Sequence, residues 1–172
     1  MTNDTTPRMI EGKHALLAVL AIGVVGAGAG WWYQHGLQRR PLALWGGNAA
    51  RLILYAPEVA FCELEQSPGE SSSNSVVIAG EPYFEHGCQD VARRPGFIHL
   101  RNSLLHDYSF DWSDTAAGAR RWRSMLRFRQ DDQTATLVFT DDFQYVMLVE
   151  TGATACLRPI ASGLRDVLRP TK

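Results

Sequence analysis

Glu85, His86 and Cys88 stand close together in the stretch "EHGC", residues 85–88. A carboxylate, an imidazole and a thiol at that spacing are the parts of an activated thiolate. No nucleophile motif frames them, and a glycine-centred turn holding a buried cysteine explains the same four residues. The second candidate is a charge pattern. Arg121, Arg123, Arg127 and Arg129 alternate along "RRWRSMLRFR", residues 120–129, and in an extended strand they share a face with Met125. Guanidinium groups about 7 Å apart repel, so that face needs acidic neighbours, water or an anionic partner. The chain can supply the neighbours itself: seven acidic residues run from Glu58 to Asp90, with no basic residue between Leu52 and Ala92. A partner from outside would be an anionic lipid surface or an acidic protein domain.

Other chemistry has little footing. His99 and His106 are two helical turns apart, not the i, i+4 spacing of a metal pair, and read as surface histidines. Cys62, Cys88 and Cys156 are widely spaced, with neither a CxxC pair nor a Cys/His cluster, so no metal site is expected. The hydrolase nucleophile elbow, the Walker loop and the dinucleotide fingerprint are all missing, and no cofactor is expected. No catalytic residue is assigned. An enzyme built on Cys88 and His86, or on "HDYSFDWSD" at residues 106–114, stands as the alternative.

The elements that must position these groups follow from periodicity. "AARLILYAPEVAFCELE" contains two apolar runs, Leu52 to Ala56 and Val59 to Leu64, predicted as two strands around a turn at Pro57. "QSPGESSSNS", residues 66–75, predicts a mobile loop, and "SVVIAG" a third strand. Phe97, Leu100, Arg101, Leu104, Leu105 and Tyr108 fall at helical spacing, and only Arg101 breaks that apolar stripe. In the 120s strand, Trp122, Ser124, Leu126 and Phe128 point away from the arginines. A turn at "QDDQ" returns the chain through "TATLVFT", with Ala135, Leu137 and Phe139 on one face. "QYVMLVE" gives a last strand, and Pro159 opens a final helix with Ile160, Leu164, Val167 and Leu168 on one side. The order β-β-β-α-β-β-β-α predicts an α+β domain over residues 50–172, with two helices on one face of a mainly antiparallel sheet.

Upstream, residues 15–33 form a 19-residue stretch without a charge, long enough as a helix to cross a hydrocarbon core of about 30 Å. Trp31, Trp32 and Tyr33 suit headgroup depth, and Arg39 and Arg40 follow as a charged stop, so the stretch is expected to be a permanent transmembrane helix. Residues 1–14 are then a tail and residues 34–49 a juxtamembrane linker. Ala27-Gly28-Ala29 also fits a signal-peptidase site, and cleavage near Ala29 would release an exported soluble domain. Gly26 and Gly30 make a GxxxG pair through which the helix could pair with itself or with a membrane-protein partner.

Charge excludes one partner class. Without its first 33 residues the chain keeps 15 of its 17 basic and 16 of its 18 acidic residues, and a near-neutral domain makes nucleic acid an unlikely partner. Basic residues after the helix outnumber those before it by one, and an odd cysteine count leans towards a reducing compartment, so a cytoplasmic domain is slightly favoured. In an oxidising compartment one cysteine pair would bridge and one thiol would be left over. The expected function is a membrane-tethered interaction domain, an accessory or assembly factor whose partners are the lipid bilayer and another protein.

Overall fold

A computed structural model describes residues 12–36, 39–66, 75–114 and 120–169. It falls into two units, residues 1–37 and 38–172. The first contains α1 (Gly12–Gly36), whose segment His14–Trp32 is long and apolar enough to cross a membrane, with mean hydropathy 1.9 and no residue buried.

The second unit is α+β. Helix α2 (Arg39–Tyr55) leads into β1 (Glu58–Gln66), β2 (Ser75–Ile78) and β3 (Glu81–Asp90); α3 (Phe97–Ser103) follows. Next come β4 (Trp122–Gln130), β5 (Gln133–Thr140), β6 (Tyr145–Leu148) and β7 (Ala153–Cys156), and α4 (Ala161–Leu168) closes the domain. The seven strands form one curled antiparallel sheet in the order β2-β3-β1-β4-β5-β6-β7. Two apolar cores result, one per face. The larger, under α2, α3 and α4, contains Val59, Phe61, Leu126, Phe128, Leu137 and Phe139 of the sheet. The smaller, on the other face, gathers Cys62, Leu64, Ile78, Tyr83, Trp122, Met125, Val138 and Met147.

Three expectations change. Leu52 to Ala56 is no strand: its residues continue α2 as far as Tyr55, burying Leu52 and Ile53 against the sheet. An apolar run of five has no period of its own, and here the preceding Pro41, Trp45 and Ala50, all buried, extend it at helical spacing. Residues 39–49 are therefore part of the domain and not a linker, and three helices cover the sheet instead of two. The third strand before α3 is β3, hidden in the sequence by Pro82 and Gly87, and β7 has no counterpart among the expected strands. The β4–β5 hairpin stands as expected, with Leu126 opposite Leu137 and Phe128 opposite Ala135. Most of the predicted loop, residues 67–74, lies outside the described residues.

Helix α2 is bent at Gly46, where φ 76° and ψ 156° are open to glycine alone. Just before the bend, Trp45 is 2% exposed and donates its indole N–H to the carbonyl of Leu104, 2.8 Å away. At the far end Arg101 explains its place in an apolar stripe. Its guanidinium donates to the carbonyls of Leu54 at 3.0 Å and Ala56 at 2.9 Å, where α2 ends and its dipole is negative. The same group lies over the rings of Phe97 and Phe128. Burial pulls its pKa below the ordinary arginine value. Replacing it with methionine keeps the volume but strands two carbonyls, and is expected to cost about 3 kcal/mol in chemical denaturation. Arg101→Lys should recover little, because a single ammonium lacks the fork. A variant as stable as the parent would contradict this role.

Candidate functional site

The site built from the candidate residues lies on β3, β1 and β4. Phe61 faces Gln89 and Glu63 faces His86, so between them Gly87 and Cys88 oppose the single residue Cys62. That extra residue is a β-bulge, and Gly87 takes the positive φ of 62° that it requires. The bulge brings the two cysteines together, and Cys62 and Cys88 form a disulfide across a separation of 26 residues. Cys62 is fully buried while Cys88 lies at the surface. Cys156 is the thiol left over: it is 1% exposed, and burial pushes its pKa up.

Charged groups flank the bridge on both faces. On the side of the sulfurs, Glu85 forms an ion pair with Arg127, whose guanidinium also meets the Met125 sulfur at 3.8 Å. On the other side Glu63 is the centre. His86 Nε2 is 3.7 Å and Arg169 Nε 3.4 Å from its carboxylate, and Arg169 reaches on to Asp141 at 3.0 Å. With Arg123 and Glu65 these groups line a polar depression of about 420 Å³.

The four arginines are not brought together as one basic face. Arg127 is engaged by Glu85, which realises the expected pairing of acidic and basic strands at that point. A second bulge, between Trp122 and Ser124, breaks the alternation and sends Trp122 to the side of Met125, while Arg123 lines the mixed-charge depression. Arg121 and Arg129 are exposed, the latter directly opposite Glu58 on β1. "EHGC" is likewise not a turn but part of β3, and its imidazole meets Glu63 while its sulfur is bonded to Cys62. A carboxylate oxygen of Glu85 and the two sulfurs come within 4.8 Å of one another, yet bonded sulfurs are not the thiolates a metal binds.

The remaining candidates lie away from the bridge. Asp111 and Asp114 hold Arg158 at 3.0 and 3.2 Å, and the Tyr145 hydroxyl donates to Asp114 at 2.7 Å. The hydroxyl and amide of Ser113 donate to Asp111 and, with Arg158 nearby, keep its carboxyl below the usual range. His106 stacks on Tyr108, and His99 lines a groove between α3 and α4. In the first unit Gly26 and Gly30 have open space around them, and Trp31 and Trp32 are exposed. The Tyr33 side chain lies outside the described residues. Arg39 and Arg40 open α2, and Arg40 lies over the Trp112 ring, 5.9 Å from its centroid.

A scan against protein-family models finds no match, nor do searches of curated proteins and of solved structures.

Sequence spacing missed the disulfide because the cysteines meet through a bulge. The available signals were Ala60, Cys62 and Leu64 on one strand face and a glycine beside Cys88. Closing this loop restricts the unfolded chain by about 3 kcal/mol, or a melting-temperature difference of roughly 10 °C for a domain of this size. Reduced parent protein and the oxidised Cys62→Ala/Cys88→Ala variant should therefore melt near the same temperature, both below the oxidised parent. Equal melting of all three would contradict a structural bridge.

Proposed function

We propose that this chain is a single-pass membrane protein whose α+β domain is an interaction module on the exported, oxidising side of the membrane, serving assembly or accessory roles and not catalysis. The observation that carries the reading is the Cys62–Cys88 bridge, since disulfides form and persist in oxidising compartments. It weighs against the cytoplasmic side favoured by a surplus of one positive charge, because a folded domain of this length is translocated largely regardless of charge. The helix His14–Trp32 supports a membrane anchor, being uncharged between Ala15 and Trp32 and nowhere buried. The interaction reading gains because the groups on which an enzyme would rest are engaged among the described residues: Cys88 in the bridge, His86 with Glu63, and Asp111 and Asp114 with Arg158.

The test is protease access. With a C-terminal tag on the full-length chain, protease added to sealed spheroplasts should remove the tag without lysis, and a sample not treated with protease should hold a chain of uncleaved mass in the membrane fraction. A tag lost only after lysis contradicts the exported side. A soluble chain beginning near Gly30 would instead support an exported domain released by cleavage after Ala29.

A further inference from the structure

Six large apolar side chains of the described α+β domain are exposed: Leu42, Tyr55, Val77, Phe84, Ile98 and Tyr108. They are not scattered. Leu42, Tyr55 and Ile98 line one groove of about 460 Å³ between α2 and α3, together with Leu54, Asn102, Leu105 and His106. Tyr108 continues it, stacked on His106 with ring centroids 5.2 Å apart. Among the described residues no acidic side chain lines the groove, whereas Arg39 and Arg40 are exposed one turn of α2 before Leu42. Aliphatic side chains, two tyrosines that can keep a hydroxyl in water, and arginines at the margin are the composition of a surface that lies in the headgroup region of a bilayer.

Chain connectivity names the occupant. Only two residues separate the end of α1 at Gly36 from the start of α2 at Arg39. Leu42 follows Trp32 by ten positions, so it lies within at most about 35 Å of the helix exit, and less where the chain is helical. The bend at Gly46 folds α2 so that Leu42 and Tyr55, at its two ends, reach the same groove. The other exposed apolar residues, Val77 and Phe84, belong to β2 and β3 at the opposite edge of the sheet from β7.

We propose that the face formed by Leu42, Tyr55, Ile98 and Tyr108 seats the domain on the surface of the bilayer from which α1 emerges. The proposal rests on the membrane-anchor reading. It adds that the domain is held against lipid by its own folded surface as well as by its tether. Insertion of the apolar side chains supplies the contact, and Arg39 and Arg40 favour anionic headgroups.

The experiment uses full-length protein with Cys156→Ala, reconstituted into phosphatidylcholine and phosphatidylglycerol vesicles containing a doxyl-labelled lipid. A fluorophore is attached to Ile98→Cys or, as an equally apolar control, to Val77→Cys; the native bridge is retained. Retention in vesicles after alkaline carbonate wash reads the anchor separately. The expected result is a carbonate-resistant protein whose emission falls roughly twofold at position 98 and little at position 77. A second arm, Tyr55→Asp with Tyr108→Asp, should abolish the loss at 98 without releasing the protein. Anchored protein with equal emission at both positions overturns the proposal and leaves the anchor standing. Shielding of position 98 that rises with protein density and ignores the doxyl lipid also overturns it, showing a second protein copy on the face. Loss from the vesicles on carbonate wash refutes the anchor, and the proposal with it.

Discussion

One buried cation ties the helices of this domain to its sheet. Arg101 places a five-donor fork on the last carbonyls of α2 and lays the same plane over Phe97 of α3 and Phe128 of β4. A helix C-terminus buried beneath another helix would leave those carbonyls without partners, and an apolar residue at 101 would fill the space while satisfying neither. With the fork in place, α2 can end against α3 and still cover β4 and β5. The Trp45 indole, bonded to Leu104, secures the other end of the same packing. Between them these two contacts convert a stretch of chain that reads as tether into the largest helix of the domain.

That conversion bears on function. A flexible linker would let an anchored domain sample a wide volume and meet partners at a distance. Here residues 39–49 are instead part of the domain, with Pro41 and Trp45 buried in it. If α1 is the anchor we propose, a connection of two residues between α1 and α2 would suit partners at the membrane, either lipid or the exposed part of an anchored protein.

What was legible in the sequence was what a single strand or helix face decides. The β4–β5 hairpin shows because Leu126, Phe128, Ala135 and Leu137 alternate without interruption through a polar turn, and the apolar segment of α1 shows by length alone. Illegible features depend on departures from period. The run at 52–56 has too few residues to declare a helix until Pro41 and Trp45 are known to be buried. β3 contains a proline and a glycine, each a strand breaker in general, and the glycine proves to be what the bulge needs. The bulge beside Arg123 likewise dissolves a basic face that strict alternation would have built. Arg101, visible as a polar break in an apolar stripe, could be located from sequence, but its carbonyl partners come from a segment read as strand.

The proposed compartment rests on the bridge between Cys62 and Cys88, where the same bulge that admits Gly87 sets the two sulfurs together, with Cys156 buried in the opposite half of the sheet. The most direct measurement is a count of free thiols in the chain as it exists in the cell. Cells expressing the full-length protein are quenched in acid and denatured, and free thiols are then tagged with a maleimide large enough to shift mobility. An exported, bridged domain gives one adduct, at Cys156, and three after reduction. Three adducts before reduction would contradict both the bridge and the exported side proposed for the domain.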